Sequence, residues 1–508
     1  MKLQIRYVIA ALSLANLLLL EEWEWLISPL GISYHAARSP GWLDYVSAMV
    51  NVLALGASAA ILGLLLARSD TPKARAASGW LLFLLLLAPL NSFRTGGFQI
   101  PAIAGAGALL LVQAWRPEFA RQVMIAGLLA FSPYLLITFG TSCYRIAVPI
   151  PQVERGEHQF KSTSTGVVPP DAASRVLVLV FDELDYRTVF ESPPASHSFP
   201  NLKRFQEQSC GATQATAPSS ATVISLPALT TGLDIQEVRV ADSSTLQLKT
   251  VSGDVSWRDA GSMFKSAHEG GLGVGIVGWY HPWGRLFGDQ VDYCSWETVD
   301  GRGDAPRDNF LAIAGAQLSD IIPLRSRLQH AANMTRSADR MVMLAADPRL
   351  GLLFGHLPMP HRPWVYDPRT GGWDILTPGP RRYFDNVLYV DKTLGRIDDA
   401  LKASGLWERT TVVVTADHWW RQAPEFDGIL DRRVPYFVRV NGDRTRAAVS
   451  ETVSNRSLRD LVEAVLGGTL RNNADAAKWV RAHPRATAPV IVPGSESRRQ
   501  AFRLPLPW

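Results

Sequence analysis

The sequence predicts an α/β domain, a sheet with helices on both faces, preceded by an N-terminal bundle of five transmembrane helices. Three observations carry this reading. The chain of 508 residues is 47% hydrophobic and 19% charged, against about 25% charge in soluble domains. The apolar excess is concentrated near the start, with uncharged stretches at residues 7–20, 45–67, 76–93, 95–115 and 122–144. Beyond residue 174, short β-branched or Leu-rich runs alternate with helical patterns, the signature of a sheet covered by helices.

A bilayer core takes roughly 20 mostly apolar residues in a helix, and four of the five stretches reach that length unaided. The first is shorter. It follows Lys2 and Arg6 and closes on Glu21-Glu22-Trp23-Glu24-Trp25, an interfacial edge rather than the small residues of a cleavage site, so it reads as a retained signal anchor. The loops on one side of five spans hold Lys2, Arg6, Arg68, Lys73, Arg75, Arg116 and Arg121; those opposite hold Arg38 and Arg94. The positive-inside rule then puts the N-terminus in the cytoplasm and everything after about residue 144 outside. In a Gram-negative cell this is a multi-pass inner-membrane protein with a periplasmic domain. The expected organisation is a transmembrane domain over residues 1–146, a Pro/Ser/Thr/Gly-rich linker over 147–173 and a periplasmic domain over 174–508.

In that domain, strands are expected at 175–181, 273–279, 350–356, 410–415 and 435–440, and helices at 201–208, 383–404 and 458–465. Ligands of such sheets sit at the carboxyl ends of strands. Asp182-Glu183 follows the first run, His356 and His361 the third, and Asp417-His418 the fourth. Three strands therefore end in metal-ligand residue types. A hydroxyl-rich segment, residues 215–222, leads into an apolar run and fits a helix N-terminus that welcomes an anion. A hydroxyl held there on a metal can become a nucleophile toward phosphorus.

The full order of motifs is Asp182 after its strand, Phe199-Pro200-Asn201-Leu202, Thr222-x-x-Ser225-x-Pro227, Thr231-Gly232, His356-x4-His361-x-Pro363, Asp391 and Asp417-His418. It resembles the alkaline phosphatase/sulfatase superfamily over about residues 174–468. With preceding spans, the Thr-x-x-Ser-x-Pro and His-x4-His-x-Pro spacings are most similar to the lipid A phosphoethanolamine transferases, and lipoteichoic acid synthases share the plan. The resemblance implies one or two Zn²⁺ ions, with Mn²⁺ or another divalent ion as alternatives, held by Asp182, Thr222, Asp417 and His418. It implies Thr222 as nucleophile and His356 and His361 near the phosphate. The implied partners are a membrane phospholipid donor of a phospho-head group such as phosphoethanolamine, and an envelope glycolipid or glycan acceptor.

Departures from that family are specific. No Cys or Ser followed by x-Pro-x-Arg surrounds Thr222, which disfavours sulfate-ester hydrolysis. Trp419 replaces the usual Gly after Asp-His, and the stretch before Pro435 lacks a further His. Arg433, or Arg432, is the candidate cation for the phosphate in its place, and Glu183 is either a ligand of a second ion or a solvated neighbour. Rival readings are the same site with water as acceptor, a phosphodiesterase or phosphatase, and a non-catalytic membrane protein whose sulfatase-like domain binds a lipid or partner.

The net charge of +5 reflects topology, and no basic run indicates nucleic acid. Cys210 and Cys294 share the outer domain and are candidates for a disulfide. Gly273-x-Gly275-x-x-Gly278 satisfies a dinucleotide fingerprint, but its glycines lie within a strand-like run and are not read as a cofactor loop. His281 is read as structural and Asp391 as a helix-surface acid.

Overall fold

The structure, a computed structural model, describes residues 2–27, 34–67, 72–92, 99–160, 175–322, 324–377, 379 and 382–493. It forms two compact units. One comprises Met1–Ser33, Arg38–Val153 and Arg302–Arg325; the other comprises Tyr34–Ala37, Glu154–Gly301 and Ser326–Trp508. Much of the expected linker, residues 161–173, lies outside the described residues.

The first unit is helical: α1 (Lys2–Leu18), α2 (Leu20–Ile27), α3 (Trp42–Ala67), α4 (Pro72–Ser92), α5 (Gln99–Trp115), α6 (Pro117–Ala130) and α7 (Ser132–Ala147), together with a helix at Phe310–Ser319. Five spans were expected, but among the described residues two helical stretches, Trp42–Leu65 and Pro117–Ala147, are long and apolar enough to cross a membrane. Polar contacts tie Phe310–Ser319 into this unit. Asn51 Nδ2 donates to the Ala314 carbonyl at 3.1 Å and to Gln317 Oε1 at 3.0 Å, and Gln317 Nε2 donates to Glu22 Oε1 at 3.1 Å.

The second unit carries the strands β1 (Arg175–Phe181), β2 (Cys210–Thr216), β3 (Ile235–Val240), β4 (Leu246–Thr250), β5 (Gly253–Ser256), β6 (Val274–Trp279), β7 (Tyr293–Glu297), β8 (Leu352–Leu357), β9 (Tyr366–Asp367), β10 (Gly372–Trp373), β11 (Thr410–Ala416), β12 (Tyr436–Arg439) and β13 (Ala447–Ser454). Eight form one mixed sheet in the order β13-β2-β12-β11-β1-β8-β6-β7; β3-β4-β5 and β9-β10 stand apart. β1 reads Arg-Val-Leu-Val-Leu-Val-Phe and is buried at every position, as a parallel strand covered on both faces must be. Its neighbours β8 and β11 run parallel to it, and Phe181 pairs with both Leu357 and Ala416. That register brings three strand ends level. Two hydrophobic cores, one on each face, contain alternate β1 residues: Val176, Val178 and Val180 in one, Leu177, Leu179 and Phe181 in the other.

The expected strands and helices of this unit are present, including α8 (Pro200–Glu207), α9 (Thr222–Thr231) and the helix Tyr383–Ala403. Two expectations are corrected. Cys210 and Cys294 are free thiols: β2 is second and β7 eighth in the sheet order, roughly 29 Å apart at 4.8 Å per strand, too far for a disulfide. Asp391 is buried rather than on a helix surface, and accepts from the Leu202 N–H at 2.8 Å and Asn201 Nδ2 at 2.9 Å, fixing the start of α8.

The glycine pattern is explained by packing. Gly275 and Gly278 lie in β6 and Gly273 immediately precedes it, and a methyl group on Gly278 would overlap the fully buried Trp283 ring. Gly278→Ala is expected to destabilise the protein by about 1–3 kcal/mol, seen as a lower thermal midpoint; an unchanged midpoint would show that Trp283 moves aside freely.

Candidate active site

The level strand ends assemble the site. Asp182 leaves β1, Asp417 and His418 leave β11, and His356 is the penultimate residue of β8. Thr222 is the first residue of α9, following the extended N-cap Ala221, where backbone N–H groups are free and the dipole is positive. The Thr222 hydroxyl donates to Asp417 Oδ2 at 2.7 Å and lies 3.4 Å from Asp182 Oδ2 and 3.3 Å from His418 Nε2. Asp182, Asp417 and His418 are fully buried, and their ligating atoms lie within 4.8 Å of one another.

The histidines are arranged as ligands or acceptors. His418 Nδ1 lies 3.0 Å from the Trp419 carbonyl and His356 Nδ1 lies 3.1 Å from the Trp279 carbonyl. A carbonyl only accepts, so Nδ1 carries the proton in both rings and each Nε2 lone pair faces the carboxylates. His356 Nε2 is 3.4 Å from Asp182 Oδ2. Burial lowers the pKa of both imidazoles, keeping them neutral. The carboxyls move the other way: burial, followed by repulsion from Glu183, raises Asp182 well above its usual value. Burial and then repulsion from Asp182 push Asp417 up to about 7.

Two buried carboxylates beside a neutral imidazole and a hydroxyl make a hard, mixed O/N donor set, and Asp182 Oδ1 has no hydrogen-bond partner. That orphaned oxygen and the chemistry of the donor set fit a divalent metal ion.

Glu183 is held by a cation instead of standing open. At φ +66° its backbone is left-handed, its N–H donates to Asp417 Oδ1 at 3.3 Å, and Arg421 Nε donates to its carboxylate at 2.8 Å. Tyr383 Oη donates to the Glu183 carbonyl at 2.8 Å, and Trp420 stacks on the Tyr383 ring at 3.9 Å. The bulky pair Trp419-Trp420, both fully buried, thus anchors the loop that follows Asp-His. Arg421 also places Nη2 3.5 Å from His361 Nε2, which brings His361 to the edge of the group. Arg433, expected at the substrate phosphate, instead pairs with Asp431 and Glu191, both at 2.6 Å. Sequence reasoning missed Arg421; its one available signal was a lone arginine three residues after His418.

Residues 174–468 match the sulfatase family model. The chain belongs to the sulfatase family. It is a sulfatase-superfamily enzyme, and members of this superfamily bind divalent metal. No curated protein matches its sequence. Among solved structures it is similar to Ps i-CgsB in complex with k-i-k-neocarrahexaose, at 15% identity over 62% of this chain and 77% of that one with a TM-score of 0.44. It is also similar to a phosphonate monoester hydrolase of Agrobacterium radiobacter, at 16% identity over 58% and 74% with a TM-score of 0.39. A protein of the alkaline phosphatase superfamily from Vibrio parahaemolyticus gives 15% identity over 62% and 72% with a TM-score of 0.39.

Proposed function

We propose that this sulfatase-family enzyme transfers a phospho-head group, such as phosphoethanolamine, from a membrane phospholipid to an envelope glycolipid or glycan through a phospho-threonine at Thr222. The observation that carries the reading is the Thr222 hydroxyl, a single nucleophile within 3.4 Å of Asp182, Asp417 and His418. The two apolar helical stretches long enough to cross a membrane support access to a lipid donor. In this reading the N-terminus is cytoplasmic and the catalytic unit is periplasmic.

The residues divide the work. A divalent ion held by Asp182, Asp417, His418 and Thr222 would neutralise phosphoryl charge and acidify the threonine hydroxyl. Thr222 directs its proton at Asp417 Oδ2, 2.7 Å away, and its oxygen then forms the bond to phosphorus as the diacylglycerol oxygen leaves and takes up a proton. The acceptor hydroxyl attacks the same phosphorus, the Thr222 oxygen–phosphorus bond breaks, and the proton the acceptor gives up returns to the Thr222 oxygen. Splitting one displacement in two lets donor and acceptor use one site in turn. Arg421, fixed by Glu183, supplies positive charge beside His361 for the phosphate oxygens.

The test is to incubate the full-length protein with phosphatidylethanolamine vesicles, with and without lipid A or a glycan. Diacylglycerol release that requires the acceptor is expected. Release at the same rate without it would make the enzyme a hydrolase, and no release under either condition would remove this donor.

A further inference from the structure

Residues Tyr34–Ala37 precede α3 in the chain but are part of the catalytic unit. Arg285 captures them, its guanidinium donating to the carbonyls of Tyr34 at 2.6 Å and of Ala36 and Ala37 at 3.1 Å. Held in this way, the segment delivers two side chains. Tyr34 is fully buried, with its hydroxyl 2.9 Å from His281 Nδ1. His35 sets Nδ1 3.0 Å from the Tyr280 carbonyl and lays its ring against the Tyr280 ring, with centroids 4.7 Å apart.

What they hold is strained. Tyr280 has φ +72°, a conformation that a bulky residue rarely adopts. The His281 N–H donates back to the Trp279 carbonyl at 2.9 Å, closing a three-residue turn of the uncommon hand. Such strain persists only where surrounding structure over-determines it. The same Trp279 carbonyl accepts from His356 Nδ1 at 3.1 Å, so the turn sets both the tautomer and the orientation of the ring whose Nε2 faces Asp182.

We propose that the segment Tyr34–Ala37 positions the active site, with His35 as the positioning residue: by holding the Tyr280 carbonyl it maintains the strained turn and, through the Trp279 carbonyl, keeps His356 aimed at the metal group. His35 touches neither substrate nor ligands in this scheme. The inference rests on the site being the metal-dependent phosphoryl site described above, and it reassigns His281 and its neighbours from plain core packing to support of that site.

The test uses the full-length protein in detergent with two readouts, turnover of bis(4-nitrophenyl) phosphate and affinity for Mn²⁺. His35→Ala is expected to lower kcat by about tenfold or more with KM within about twofold, and to weaken Mn²⁺ binding by about tenfold, the range of supporting-residue effects at metal sites. His35→Asn retains an N–H near the Nδ1 position and should restore both to within about threefold. Wild-type kcat and Mn²⁺ affinity in His35→Ala would overturn the proposal. So would equal losses in both variants accompanied by a lower thermal midpoint, because that is the mark of a purely structural residue. If wild-type protein binds Mn²⁺ but leaves the diester intact, the functional reading fails while the Mn²⁺ comparison still decides this one.

Discussion

Replacing Thr222 with alanine should lower turnover by about 10⁴-fold or more, the scale seen when a nucleophile is removed from a site whose parts act together. The substitution removes one hydroxyl and leaves a residue well suited to the first turn of a helix, so α9 and the circular dichroism spectrum should be unchanged. With a radiolabelled lipid donor, wild-type protein should carry acid-stable label and the Thr222→Ala variant none. Thr222→Ser, which keeps an oxygen near the same place, should retain measurable labelling. Full turnover by Thr222→Ala would end the assignment, since among the described residues no other hydroxyl is placed within hydrogen-bonding distance of Asp182, Asp417 and His418 together.

Metal removal should have an effect of similar size on activity and a second, pH-dependent effect on stability. Asp182 and Asp417 are fully buried beside each other, and burial raises both above their ordinary range, Asp417 to about 7. An acid whose folded pKa lies above its unfolded value of about 3.9 favours the folded state at low pH. That contribution is lost as pH rises through the folded value. Chelated protein should therefore lose the support of Asp417 between about pH 4 and pH 7, and that of Asp182 as pH rises through its own raised value. A metal binds only the deprotonated carboxylates and opposes the loss, by about 2.7 kcal/mol when present at one hundred times its dissociation constant. The gap in thermal midpoint between metal-loaded and chelated protein should widen from pH 5 to pH 8. Histidines away from the group act equally on both forms and cancel in that gap. A gap that narrows with rising pH would sink the carboxylate ligand set.

Much of the site was legible because it depends on local signals that the sheet then aligns. Runs such as Val176 to Phe181 and Thr410 to Ala416 are continuous and β-branched, so they could be read as buried parallel strands, and Asp182, Asp417 and His418 follow them directly. Relations set by strand order were not legible. Cys210 and Cys294 share a compartment by sequence but occupy strands on opposite sides of β1. Asp391 fits a helical surface by periodicity, yet it is turned inward to serve Asn201 and Leu202. Of the five expected spans, two are matched among the described residues by a helical stretch long and apolar enough to cross a membrane. Arg421 and the segment Tyr34–Ala37 escaped notice because their partners are remote in the chain: Glu183 for the first, Tyr280 and Arg285 for the second.

The division of the chain into units also constrains how this protein can be made. Residues Arg302–Arg325 complete the helical unit and Tyr34–Ala37 complete the catalytic one, so each unit borrows a piece encoded within the span of the other. A ribosome that has released the first 153 residues has not yet supplied the helix Phe310–Ser319, whose Gln317 satisfies Asn51 and Glu22. Those helices must wait, with their polar groups unmet, for more than half the chain to emerge. No single proteolytic cut or gene fusion between residues 153 and 175 can separate the two units intact, and the helical unit cannot be exchanged for another by moving one junction.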